Sequence, residues 1–279
     1  MRHLTYTFES PGLGHLFAQA WIPEGTPKAA VALIHGIGEH SGRYSHVGAW
    51  FAEHGYAFYA YDQYGHGRSP GKRGHIPSYD AVMHGISKHL AEVRSRSPEA
   101  PITLYGHSLG GNYAINYLFR ESPELAGAII TSPWLRLSFE PPAWKKALAK
   151  LCAKVWPSLT QSNGLVAVSL AGGVVPAEAD PLGHDRISIR LYNAVQSSGD
   201  WAMRVAERME LNMPILLMHG NADLITSHRA TRKFASELRG DVTYREWERG
   251  RHELHNEPPT EREHVFQYML EWLQGGRQA

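Results

Sequence analysis

An α/β fold with a mostly parallel central sheet flanked by helices is predicted by three features of this sequence. Short apolar runs recur along the chain and alternate with amphipathic stretches. Polar turn residues follow the runs directly, at the edge where the carboxyl ends of parallel strands gather. The alternation breaks once, between about 133 and 209, for a helix-rich insertion.

Taken in order, residues 3–10 and 15–22 alternate like strands, and Pro11-Gly12 between them reads as a hairpin connection. The runs 30–34, 57–61, 102–105, 127–131, 214–218 and 242–247 are short and apolar, as buried strands are. Residues 47–54, 79–94, 227–238 and 261–273 have helical spacing and lie between or after them. His35, Asp62, Ser108, Ser132 and His219 all sit at the ends of apolar runs, so the topology predicts that they collect on one edge.

The expected organisation is a core over 1–132 and 210–279, with a helical cap, or lid, over 133–209. Within the insertion, 143–156 reads as an amphipathic helix. Leu148, Leu151, Val155 and Trp156 lie on one side, and Lys145, Lys146, Lys150 and Lys154 on the other. A Gly/Ala/Val-rich connector over 164–176 and a helical stretch over 187–208 follow. The apolar side serves as the cap's underside towards a substrate or packs the cap onto the core. An apolar cap face of this kind can also touch membranes or micelles.

Composition narrows the class. The chain has 279 residues, 43% hydrophobic and 20% charged, with a net charge of +1 and no basic stripe that would suit nucleic acid. Cys152 is its one cysteine, so no disulfide forms within it. The first ten residues lack the apolar core of a signal peptide, and no window reaches the ~18 apolar residues of a membrane span. A cytoplasmic address is the expectation. The 17 histidines are scattered, without H-E-x-x-H or Cys-x-x-Cys spacing, so no metal site is expected.

The chemistry centres on Gly106-His107-Ser108-Leu109-Gly110-Gly111, which follows one apolar run and opens a helix-like segment over 112–120. That is the strand, sharp turn and helix setting of a nucleophile elbow. The turn pushes the Ser108 hydroxyl out of the sheet, and a Cβ at Gly106 or Gly110 would collide across it. A serine hydroxyl is a poor nucleophile at neutral pH, so it needs a base, and the base needs an orienting carboxylate.

Both follow in the chain. Asp223 lies in His219-Gly220-Asn221-Ala222-Asp223, after a late strand, and is the candidate acid. His252 lies in Gly250-Arg251-His252-Glu253-Leu254-His255 and is the candidate base. His255 competes three residues on, but His252 is nearer the strand end. Two backbone N–H groups should meet the oxyanion of a tetrahedral intermediate. Leu109, after the nucleophile, supplies one. Ile37, in His35-Gly36-Ile37-Gly38, supplies the other.

Together these segments resemble the monoglyceride lipase and lysophospholipase branch of the α/β-hydrolases, often labelled a serine aminopeptidase-like domain. The matching pieces are HGIGEHSGRY (35–44), YDQYGHGRSPGKRG (61–74), GHSLGG, HGNAD and HELHNEP (252–258), within about two-thirds of the chain. The family's serine, acid and base map to Ser108, Asp223 and His252, and its oxyanion donors to Ile37 and Leu109. The resemblance implies an α/β-hydrolase fold, a cap over a mostly apolar acyl tunnel, carboxylic ester substrates such as monoacylglycerols, and no cofactor. It also places His40, Arg43, His107 and His255 near the site, touching substrate or one layer behind it. Gln63-Tyr64 departs from the pattern, since relatives carry a basic residue near Tyr64. The cap keeps Asp180-Pro181-Leu182, but 172–179 lacks a charged run. A lysophospholipase, a short-chain esterase, a peptidase and a silent binding protein are the competing readings. Serine at 108 argues against the aspartate-nucleophile branch.

Overall fold

The computed structural model describes residues 1–139, 142, 155–165 and 180–276. Its main sheet has eight strands: β1 (Arg2–Ser10), β2 (Gly14–Ile22), β3 (Ala30–Ile34), β4 (Ala57–Tyr61), β5 (Ile102–His107), β6 (Gly127–Thr131), β9 (Glu210–Gly220) and β10 (Arg239–Trp247). Their order across the sheet is β1-β2-β4-β3-β5-β6-β9-β10. β2 pairs antiparallel with β1 and β4, and all other neighbours are parallel.

Every residue of β3, β4, β5 and β6 is buried, which explains why these strands read as continuous apolar runs. Their period of two divides them between two cores. Ala30, Ala32, Ile34, Leu104, Ala128 and Ile130 face one core, which takes in α2 (Tyr79–Arg96), α3 (Leu109–Glu121) and α5 (His228–Glu237). Val31, Leu33, Phe58, Tyr105, Ile129 and Leu216 face the other, with α1 (Ser45–Glu53) and α6 (Pro259–Leu273). Serine caps start two of these helices: Ser78 Oγ accepts from Ala81 N at 3.0 Å, and Ser227 Oγ accepts from Ala230 N at 3.2 Å.

The structure extends β9 and β10 beyond the expected 214–218 and 242–247. Pro214 reads as a strand start, yet it lies inside β9. Opposite it the register shifts between Gly240 and Val242, so the missing N–H falls at a bulge.

The insertion differs more. Two short strands, β7 (Thr160–Ser162) and β8 (Arg186–Ser188), pair antiparallel where no strand was expected. Ile187, the expected first residue of a helix, lies in β8. The helix α4 (Ile189–Val205) begins only after Ser188, whose Oγ accepts from Leu191 N. α4 packs on α3 through polar bonds: Asn112 Nδ2 donates to Val195 O at 3.3 Å and Ser198 Oγ to Asn112 Oδ1 at 2.8 Å. The second half of the insertion is therefore built into the core layer.

Residues 143–154 of the expected amphipathic helix, with Leu148 and Leu151, lie outside the described residues. So do 166–179, most of the expected connector. Val155 and Trp156, read as inward-facing, are 82% and 61% exposed. Among the described residues no helix is long and apolar enough to cross a membrane.

Candidate active site

Ser108 sits between β5 and α3 with φ 53° and ψ −113°, a strained conformation for a residue with a side chain. Its neighbours explain how the turn is tolerated. A Cβ on Gly106 would fall 2.6 Å from the Gly110 carbonyl oxygen, and one on Gly110 would fall 2.0 Å from that of Ile34. Ser108 N donates to Thr131 O at 3.0 Å, and Ser108 O accepts from Trp134 N at 2.9 Å. The backbone is thus tied to β6 and to the start of the insertion.

Two loops at the same edge bring the partners. His252 Nε2 lies 2.8 Å from Ser108 Oγ, and His252 Nδ1 lies 2.7 Å from Asp223 Oδ2. An ionised carboxylate only accepts, so Nδ1 carries the proton and Nε2 is left to accept the serine proton. Asp223 is itself saturated. Its Oδ1 accepts from Ile225 N at 2.7 Å and Thr226 N at 3.0 Å, and its Oδ2 also accepts from Thr226 Oγ1 and His219 Nε2, both at 2.9 Å.

Burial works to neutralise this carboxyl. The charge of His252 and the hydrogen bonds of both imidazoles outweigh it and hold Asp223 far below the usual carboxylate range. For His252 burial works to lower the pKa, but the adjacent Asp223 charge and bond prevail and raise it.

The Ile37 and Leu109 backbones flank the serine. Leu109 is the first residue of α3, where the N-terminal amides are free of intrahelical partners. Gly36 lies so close that a Cβ there would be 3.3 Å from Ser108 Cβ. Ile37 lines a cavity of about 230 Å³ together with Ser108 and His252.

That cavity also takes in Glu39, Arg43, Leu165, Asp180 and Glu253. Most of its described lining residues are polar in type, but carbon atoms make up the larger share of the surface they present. Arg43 Nη2 donates to both Glu253 oxygens at 3.1 and 3.3 Å, and Arg43 Nε is 3.8 Å from Glu39 Oε2. Burial, helped by the Glu253 charge, pushes the Glu39 carboxyl up to about 7.

The remaining candidates fall in different places. His40 turns away to the insertion. Its Nδ1 accepts from Gly42 N at 3.1 Å, so its Nε2 donates to Asp180 Oδ2 at 2.8 Å. His107 is fully buried, with Nδ1 3.0 Å from Thr131 Oγ1 and its ring 5.0 Å from that of His252. His255 stacks on Tyr44 at 4.5 Å and lies 4.8 Å from the His107 ring, one layer behind the cavity. Burial drives both of these imidazoles well below their ordinary pKa.

Four groups gained no role from the sequence. His219, Glu39 and Glu253 stand inside quoted motifs, but their contacts are made across folded loops. Gln63 stood out only as a departure.

Strands wound in this order, with a serine on the strand-to-helix turn, define the α/β-hydrolase fold, and the enzyme class is serine hydrolase. The chain belongs to the serine aminopeptidase S33 family (Hydrolase_4), whose sequence profile matches residues 25–259. It is 32% identical over 269 residues to rat monoglyceride lipase, covering 93% of this chain and 86% of that protein. An uncharacterized abhydrolase domain-containing protein of Dictyostelium discoideum is 35% identical over 269 residues. That match covers 92% of this chain but 27% of the relative, so the chain spans about a quarter of its length. Among solved structures, the Paleococcus ferrophilus monoacylglycerol lipase superposes with a TM-score of 0.79 at 36% identity, covering 92% and 98% of the two chains.

Proposed function

We propose that this hydrolase cleaves carboxylic esters of single-chain lipids, monoacylglycerols foremost, through a Ser108–His252–Asp223 acyl-enzyme mechanism. The observation that carries the reading is the run of short hydrogen bonds from Asp223 through His252 to Ser108, opening on a cavity.

His252 takes the Ser108 proton as Oγ attacks the ester carbonyl. The Ile37 and Leu109 N–H groups receive the oxyanion. His252 then protonates the leaving alcohol, and later activates the water that releases the fatty acid. Asp223 stays ionised throughout.

The polar corner of Glu39, Arg43 and Glu253 suits a hydroxyl-bearing leaving group. Asp180, Asp185 and Glu253 line the cavity with Arg43, and Arg43 is already paired. That balance disfavours a phosphate-bearing headgroup. The insertion over 133–209 acts as a cap on this edge. Val155, Trp156 and Leu159, all exposed, support transient contact with a lipid surface by a protein of cytoplasmic, peripheral address.

An ester panel tests the substrate. Monoacylglycerols should exceed lysophospholipids, diacylglycerols and acetate esters in kcat/KM by about tenfold or more. A preference for lysophospholipids would overturn the assignment.

The pH dependence follows from the base. Only neutral His252 accepts the serine proton, and against the effect of burial the Asp223 charge raises its pKa above the ordinary histidine value. kcat/KM should therefore be on its plateau above that pKa and fall about tenfold per pH unit below it. A flat profile between about pH 5 and about pH 8, the range in which histidines ordinarily titrate, would remove His252 from the role.

A further inference from the structure

We propose that His35 is a positioning residue that aims the Ile37 N–H at the oxyanion, and that Gln63 holds it in the required tautomer. The proposal rests on the hydrolase reading above and adds to it what orients one of the two donors.

The argument starts from the peptide unit. Ile37 N–H belongs to the same planar trans unit as the Gly36 carbonyl, and the two point in opposite directions. Whatever holds Gly36 O from behind therefore sets where Ile37 N–H points. His35 Nδ1 lies 2.7 Å from Gly36 O. A carbonyl only accepts, so this bond exists only if Nδ1 bears the proton.

A second contact fixes the same assignment independently. The Gln63 backbone N–H can only donate, and it meets His35 Nε2 at 3.1 Å. Nε2 must then be bare, which in a neutral imidazole leaves the proton on Nδ1. The Gln63 side-chain amide, 3.2 Å from Nδ1, is in packing contact there, and its bond is to His35 O at 2.6 Å. His35 is fully buried, and burial lowers its pKa to about 4 despite the nearby Asp62 charge, so the ring stays neutral at working pH.

The flanks of the loop are held as well. Gly36 N donates to Glu39 Oε1 at 2.9 Å, and Gly38 O accepts from His184 N at 3.0 Å. Among the described residues, Ile37 N–H meets no acceptor within the chain and is left for the substrate. A bonded carbonyl also polarises its own N–H, which strengthens the donor.

Two variants test this: His35→Asn, whose amide nitrogen can take the place of Nδ1, and His35→Gln, whose amide reaches the place of Nε2. Loss of one oxyanion donor costs about 10²–10³ in kcat, so misaiming it should cost His35→Gln about 10- to 100-fold. KM should stay within about twofold, because the donor acts in the transition state. His35→Asn should keep kcat within about threefold. The Ki of an alkyl boronic acid, which forms a tetrahedral adduct on the serine, should rise in step with the loss in kcat/KM. Equal losses in Asn and Gln variants, or an unchanged boronic acid Ki beside a lower kcat, would overturn the proposal. If thermal melts show both His35 variants unfolded, the imidazole ¹⁵N shifts of wild-type His35 decide: a proton on Nε2 would overturn the proposal. A wild-type protein unlabelled by a fluorophosphonate would instead sink the hydrolase reading itself.

Discussion

Ser108→Ala should abolish ester hydrolysis, with kcat lowered by about five to six orders of magnitude and the fold intact. The size of the effect follows from what Oγ does. It is the atom bonded to His252 Nε2, and removing it leaves the base with nothing to activate in the acylation step. The fold survives because the anchors of this turn are main-chain ones. Ser108 N still donates to Thr131 O, and Ser108 O still accepts from Trp134 and Asn112. Alanine carries the same Cβ as serine, so the positive φ is no more strained than before. The melting temperature should move by no more than a few degrees, since about 1 kcal/mol corresponds to about 2–4 °C in a chain of this size. Steady-state hydrolysis and circular dichroism melts check both halves. Residual activity above ~1% of wild type would remove Ser108 from the nucleophile's role.

Asp223→Asn should cost about 10⁴ in kcat while changing the structure little. The surroundings dictate which way the new amide faces. Ile225 N and Thr226 N can only donate, so they require an acceptor in the place of Oδ1. The amide oxygen must go there, and the NH₂ is then presented to His252. Facing a donor, His252 Nδ1 must accept, which moves its proton to Nε2. The ring then presents N–H to Ser108 and cannot take its proton. His219 Nε2 also faces the new NH₂, so the imidazole that braced the carboxylate now opposes it. The check is kcat/KM across pH for the purified variant. Activity within tenfold of wild type would mean that another carboxylate orients His252.

How much of this is legible in the sequence depends on the range of each contact. β3 to β6 are readable because they are buried on both faces, and a continuous apolar run survives any register. β7 and β8 are three residues each and partly exposed, so no pattern marks them. The elbow at Ser108 is local, and its glycines announce it.

The choice between His252 and His255 is not local. A short 3-10 turn over Leu254–Asn256 sends His255 back to stack on Tyr44, while His252 faces Ser108. The Arg43–Glu253 pair joins residues 210 apart in the chain, and only the folded sheet edge brings them together. Gln63 illustrates the converse. As a departure from a pattern it looks incidental, yet its backbone and side chain both hold His35.

The return limb of the insertion has a consequence for how such enzymes diversify. His184 N bonds Gly38 O, Ser188 N bonds Gly74 O, and a Cβ on Gly38 would lie 2.3 Å from the His184 carbonyl oxygen. The return limb is therefore tied, peptide to peptide, to Gly38 in the loop whose Ile37 N–H the proposed mechanism uses, and separately to Gly74. On that mechanism, substitutions along the seam at His184 and Gly38 should disturb the chemistry along with the choice of ester.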